Sequence, residues 1–181
     1  MTFSFLFLLA ACGQGGVSKS NKVVSEEALK IDRADSVTVI ISKDGQTKAR
    51  LKTKEFVQND NAKPPFLDIN HNLFVEFYND SMAVESTLSA KTARFYPANN
   101  NFLVQDSVVV INKSGDTLKT QQLVWNNKLQ KFFSEVPVQI IRGGSVSYGT
   151  GLEANKDLSW IRIFQQRGTV PVEKDQMPDT E

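Results

Sequence analysis

Residues 118–125 read Leu-Lys-Thr-Gln-Gln-Leu-Val-Trp, and residues 88–95, thirty positions earlier, read Leu-Ser-Ala-Lys-Thr-Ala-Arg-Phe. Apolar residues recur at the first, sixth and eighth positions of both segments, and further along Phe102 aligns with Phe132. Period-two alternation on either side of an Asn-rich turn is typical of two β-strands joined as a hairpin. The sequence therefore predicts an all-β fold built from roughly 30-residue two-strand repeats. These units have to stack, because one hairpin cannot bury its apolar face alone.

The same alternation, broken by turn residues, extends over residues 36–170 and predicts a single antiparallel β domain there. Asp44-Gly45 is a strong hairpin turn sequence. Residues 12–35 are polar and charged, with some helical character after Glu26, and are predicted to be a tether. Residues 171–181 are predicted to be a flexible tail.

The N-terminus predicts export and a lipid anchor. Residues 3–11 read Phe-Ser-Phe-Leu-Phe-Leu-Leu-Ala-Ala, an apolar run too short to cross a bilayer, which takes about 20 residues as a helix. Residues 1–11 are therefore predicted to be a signal peptide. The single Cys of the chain, Cys12, follows Leu-Ala-Ala and so resembles the lipobox of bacterial lipoproteins, which implies that Cys12 is acylated. The alternative is a buried strand with a chance Cys.

Composition argues against most enzyme classes. The formal charge is +1 and the pI about 7.8, so nucleic acid is not an expected partner. One Cys and one His exclude a disulfide framework and a histidine-rich metal site. His71, between two Asn residues, is expected to lie in a solvated turn. No catalytic triad or phosphate loop is recognisable, so we expect no catalytic residue, cofactor or metal.

Three blocks carry a resemblance to a known family. They are Asp116-Thr-Leu-Lys-Thr-Gln-Gln-Leu-Val-Trp-Asn126, Glu135-Val-Pro-Val-Gln-Ile140 and Tyr148-Gly-Thr-Gly-Leu-Glu-Ala154. Together they resemble LptC, the periplasmic component of lipopolysaccharide export. The resemblance implies a folded-over antiparallel β-jellyroll of the OstA type whose seam holds acyl chains. It also implies three partners: lipopolysaccharide, an inner-membrane ABC transporter and a periplasmic LptA-like bridge protein.

Familiar members of that family carry a transmembrane helix where this chain has the lipobox. We therefore expect a lipoprotein variant in the periplasm, anchored by lipid to a membrane, with the inner membrane favoured. The strand at residues 37–41 is expected to dock on the transporter side, and the strands at residues 159–170 to accept the bridge protein, because open strand edges invite pairing.

Strand alternation selects the side chains expected to face the interior and to form a lipid groove. These candidates are Val39, Leu51, Val75, Phe77, Leu88, Phe95, Phe102, Val108, Val110, Leu123, Trp125, Phe132, Val138, Ile140 and Leu152. The alternative is that they only pack against each other, in an adaptor or structural lipoprotein with a filled β-solenoid that binds proteins only. Candidates for contact with lipid phosphates at the rim are Lys128, Lys131, Arg142 and Arg162.

Overall fold

The computed structural model describes the backbone of residues 31–171 and the side chains of residues 33–168. The predicted signal peptide, Cys12, most of the tether and nearly all of the tail lie outside the described residues. The described part consists of eleven strands: β1 (Ile31–Lys43), β2 (Gln46–Asn59), β3 (Phe66–Asn70), β4 (Leu73–Tyr78), β5 (Val84–Ala90), β6 (Thr92–Tyr96), β7 (Asn101–Asn112), β8 (Thr117–Asn126), β9 (Lys131–Arg142), β10 (Ser145–Asn155) and β11 (Ile161–Pro171). The all-β prediction is confirmed. Residues 31–171 contain no helix with the length and apolar character needed to cross a membrane.

The strands form one antiparallel sheet that follows chain order. β3 and β4 lie end to end beside β2, and β5 and β6 lie end to end between that pair and β7. From β7 to β11, each strand pairs with the next one. Among the described residues, β1 pairs only with β2 and β11 only with β10, so each has one edge without a strand partner.

A line of irregular residues crosses the sheet near the middle of the strands. His71 and Asn72 separate β3 from β4, Asp106 and Ser107 interrupt β7, and all four have positive φ, between 54° and 71°. Lys91, between β5 and β6, joins these interruptions. Its carbonyl accepts a hydrogen bond from the Asn72 N–H, and its own N–H donates one to the Asp106 carbonyl, both at 3.0 Å. Because bulges bend strands, we call this line the crease.

The crease continues through register shifts in β8 and β10 and divides the sheet into two leaves. The first leaf contains residues 37–53, 73–90, 108–120 and 138–150, and the second leaf contains residues 55–70, 92–105, 123–134 and 152–163. The leaves fold face to face. The ring of Phe77 in the first leaf lies 6.1 Å from that of Trp125 and 5.9 Å from that of Phe132, both in the second leaf. The sheet is thus folded over, as expected for a β-jellyroll.

The predicted repeat and hairpin turn are confirmed. β7, β9 and β11 begin at Asn101, Lys131 and Ile161, an interval of 30 residues each time. Asp44 and Gly45 both have positive φ, 53° and 75°, as a tight hairpin turn of the mirror-image type requires.

The first strand begins earlier than the predicted domain boundary at residue 36. Residues 31–35, assigned to the tether from their charge, pair with residues 55–59 of β2. One of their charges has a cross-strand partner, since Arg33 Nε lies 3.2 Å from Glu55 Oε1. A charged segment can therefore extend the sheet here.

Candidate functional site

An apolar cavity lies between the two leaves. Its volume is about 270 Å³, and eleven of its sixteen lining residues are apolar. The apolar residues are Ile41, Ala49, Leu51, Leu73, Val75, Phe77 and Leu88 of the first leaf and Phe102, Val104, Trp125 and Phe132 of the second leaf. The polar lining consists of Lys43, Lys48, Asn127, Gln130 and Lys156. Because these polar residues lie at or beside hairpin turns, they mark the mouth of the cavity, at the leaf edges opposite the crease.

Three aromatic side chains form a wall of the cavity. Trp125 and Phe132 lie on neighbouring strands of the second leaf with ring centroids 5.1 Å apart, and Phe77 meets both of them from the first leaf. The rings meet in tilted or edge-to-face arrangements, which aromatic pairs prefer. This wall joins the leaves while leaving apolar ring surface towards the cavity.

The remainder of the interior is filled by side chains. Leu118, Leu123, Leu152 and Ala154, on β8 and β10, are fully buried, and none of them lines the cavity. On the side of β1 the interior is looser, since Ile41 is 37 % exposed and lines the cavity. The interior is therefore open towards β1 and β2 and closed under β10 and under the parts of β8 and β9 that do not line the cavity.

The loop between β10 and β11, residues 156–160, fastens the leaves together at the closed side, and we call it the clasp. Ser86 Oγ of the first leaf donates a hydrogen bond to the Lys156 carbonyl at 2.6 Å. The guanidinium of Arg142 donates to the Leu158 carbonyl, and the Leu158 side chain is fully buried in the core cluster.

Lys156 of the clasp also makes side-chain contacts. Its ammonium pairs with the Glu85 carboxylate and donates to the Tyr78 carbonyl at 3.3 Å. Through Lys156 the clasp reaches from the second leaf to the mouth of the cavity. The clasp thus belongs both to the closed side of the interior and to the rim of its open part.

The fifteen predicted groove residues fall into three groups. Seven line the cavity: Leu51, Val75, Phe77, Leu88, Phe102, Trp125 and Phe132. Six belong to the packed core away from it: Val108, Val110, Leu123, Val138, Ile140 and Leu152. The other two, Val39 and Phe95, are partly buried, and the Phe95 ring lies 4.5 Å from that of Phe102. Contact of any of them with lipid stays a prediction.

Some of the residues that line the cavity were not among the predicted groove residues. Ala49 lies two residues before Leu51, and Leu73 two before Val75, so the same alternation would have included both. The polar mouth residues carry no local sequence pattern, because they come from three separate turns.

None of the four predicted rim cations lines the cavity. Arg142 Nε lies 2.9 Å from Asp116 Oδ2, and Arg162 lies over the ring of Phe164 at 5.3 Å. Lys131 Nζ lies 2.6 Å from Glu153 Oε1, and Lys128 is exposed in a turn. The cations at the mouth are other residues.

His71 is exposed between β3 and β4, with Nε2 3.7 Å from Glu55 Oε2. Residues 31–171 contain no group of three or more His, Cys, Asp or Glu side chains placed to hold a metal ion. The cavity is therefore the principal candidate for function within the described part of the chain.

A family model described as lipopolysaccharide-assembly, LptC-related, matches residues 6–170 of the chain. No curated protein matches it.

Proposed function

The chain belongs to the LptC-related family of lipopolysaccharide-assembly proteins, and from this premise we propose that it carries lipopolysaccharide between two partners. Membership itself gives a role in lipopolysaccharide transport, as a non-enzymatic component associated with the periplasm and the inner membrane. In the proposal, an inner-membrane ABC transporter delivers the lipid and an LptA-like bridge protein receives it.

The observation that carries this proposal is the apolar cavity between the leaves. Burying an acyl chain stabilises the complex by roughly 0.8 kcal/mol per methylene group. The cavity volume of about 270 Å³ lies just below the usual range of small-molecule pockets, about 300–1,000 Å³. It therefore has room for part of a lipid with several acyl chains, and the leaves have to separate further to admit the rest.

The unpaired edges of β1 and β11 support the proposed relay. A free strand edge presents N–H and C=O groups that pair with a strand of another protein. We propose that β1 faces the transporter and that β11 receives the bridge protein. Lipid would then enter near β1, on the side where the interior is open.

The lipid anchor at Cys12 belongs to the proposal as well. In a Cys12→Ser variant we expect the protein to leave the membrane fraction and to appear in the soluble periplasmic fraction. Retention of the variant in the membrane fraction would contradict lipid anchoring at this residue.

Site-specific photo-crosslinking tests lipid binding. A photoreactive residue in place of Phe102, which lines the cavity, is expected to form adducts with lipopolysaccharide. The matched control replaces Phe74, which is 40 % exposed and does not line the cavity. If neither Phe102 nor Trp125 gives lipid adducts while the bridge protein still binds, the chain is a protein-binding adaptor, a reading that the filled part of the interior favours.

Truncation tests the role of β11. A chain that ends at Trp160 lacks β11 but keeps the clasp, and the control chain ends at Pro171 and keeps both. We expect only the shorter chain to lose co-purification with the bridge protein, with folding checked by thermal unfolding. Equal co-purification of a folded shorter chain would show that β11 is not the acceptor edge.

A further inference from the structure

Three lysines are the only charged side chains among the residues that line the cavity. Lys43 lies at the end of β1, Lys48 near the start of β2, and Lys156 in the clasp. Among the side chains of residues 33–168, no carboxylate lines the cavity. An apolar interior whose charged lining residues are all positive is complementary to an amphiphile that bears a negative charge next to its acyl chains.

Two of the lysines are held in place by carboxylates outside the cavity. Lys48 Nζ lies 2.7 Å from Asp80 Oδ1, and Lys156 pairs with Glu85. The hydrogen bond from Lys48, followed by the charges of Lys48 and Lys156, lowers the pKa of Asp80. The ammonium group of Lys48 is therefore ion-paired with this carboxylate, which is itself 88 % exposed.

Lys43 differs from the other two lysines. Among the described side chains it has no hydrogen-bond or ion-pair partner, and it is exposed at the mouth. Its ammonium group is free to meet a ligand without breaking a contact of the folded protein. A substitution at Lys43 therefore tests ligand binding with little effect on stability.

We propose that Lys43, Lys48 and Lys156 bind the phosphate group of an acylated lipid whose chains enter the cavity. Lysine ammonium groups bind phosphate as point charges. The apolar surface directly behind them distinguishes a phospholipid or phosphoglycolipid from a soluble phosphate compound. This inference rests on the proposed function, because it requires that lipid occupies the cavity.

The test compares two variants and three lipids. Lys43→Glu reverses the charge at the mouth, and Lys119→Glu makes the same change at an exposed position on β8 that does not line the cavity. The lipids are the phosphorylated acyl-disaccharide part of lipopolysaccharide, the same lipid after removal of its phosphates, and phosphatidylglycerol. Binding is measured by displacement of a fluorescent fatty acid from the full chain.

For the phosphorylated disaccharide we expect Lys43→Glu to weaken binding by about tenfold or more, which corresponds to about 1.4 kcal/mol. The dephosphorylated lipid should bind both variants as it binds the wild type, and Lys119→Glu should leave all affinities unchanged. If phosphatidylglycerol loses affinity in the same way and the disaccharide does not, the phosphate that the site binds comes from glycerophospholipid.

The failures of the two proposals are distinguishable. Equal weakening for the phosphorylated and dephosphorylated lipids, or no weakening for any of the three lipids, overturns the phosphate site and leaves a lipid carrier. Absence of binding of every lipid to the wild-type protein overturns lipid carriage, and the phosphate site with it.

Discussion

Replacing Leu158 by Ala should release the clasp from the core. Leu158 has 0 % of its surface exposed and lies in the β10–β11 loop with φ at 56°. Alanine and leucine have the same backbone strain at positive φ, so this strain cancels when the variant is compared with the wild type. The change in stability then reports the loss of buried side chain.

Buried Leu→Ala substitutions destabilise proteins by about 2–5 kcal/mol, and most where the surroundings cannot collapse into the cavity. Here the bonds from Ser86 and Arg142 to the clasp carbonyls restrain such collapse, so we expect about 3–5 kcal/mol. At about 2–4 °C per kcal/mol for a chain of this size, Tm should fall by roughly 6–20 °C.

Thermal and urea unfolding of the variant measure this effect. The matched control is Leu129→Ala, because Leu129 also lies in a turn of the second leaf but is 55 % exposed. The control should stay within about 0.5 kcal/mol of the wild type. Hydrogen exchange of the backbone amides of residues 118–123 should also accelerate in Leu158→Ala, since the leaves separate more readily. A destabilisation below about 1 kcal/mol, or one equal to that of the control, would show that the clasp does not hold the leaves.

Three further changes test other parts of the fold. Gly149→Ala places a Cβ 2.2 Å from Ile163 Cγ2 and should destabilise the protein by about 1–3 kcal/mol. This loss of stability should be smaller when Ile163 is also replaced by Ala. A double-mutant cycle that shows no coupling between the two substitutions would contradict the contact. Arg50→Met should lower the free energy of unfolding at pH 7, because the hydrogen bond from Arg50 lowers the pKa of Glu76. That difference should be fully present above about pH 4.3, the ordinary Glu pKa, and should be lost progressively as the pH falls from there through the lowered pKa of Glu76. A difference independent of pH in urea titrations would exclude this cause. Gly45→Val, at φ 75°, should lower Tm because valine is strained there, and an unchanged Tm would contradict the turn assignment.

The inward face of the sheet was predictable because strand alternation has a period of two. Which of these inward residues line the cavity was not predictable from the sequence. Two neighbours on one face of β8 show this. Leu123 is fully buried in the core, whereas Trp125, two residues later, lines the cavity. The difference depends on what the opposite leaf places above each side chain, and no local pattern contains that information.

The position of the crease was partly visible in the sequence. Asp106 and Ser107 belong to a type of polar pair that favours turns, yet they lie inside β7 instead of between two strands. They produce a bulge because the paired strands on either side continue past them. The bulge becomes part of the crease only because it is aligned with Lys91 and Asn72. That alignment depends on strand register.

In the proposed transfer of lipid, the uneven packing of the interior limits how acyl chains cross this domain. Chains that enter near β1 reach an aromatic wall and then side chains with no exposed surface, such as Leu118 and Leu152. Movement towards β11 must therefore displace packed residues, which costs several kcal/mol for each large side chain. In the proposal, a strand of the bridge protein pairs with the edge of β11, which lies next to the clasp. This strand pairing is the contact best placed to offset that cost. On this reasoning we expect the isolated protein to hold lipid near β1 only, and we expect addition of the bridge protein to extend lipid crosslinks from Phe102 to positions in β10. Crosslinks in β10 without the bridge protein would show that the interior opens unaided.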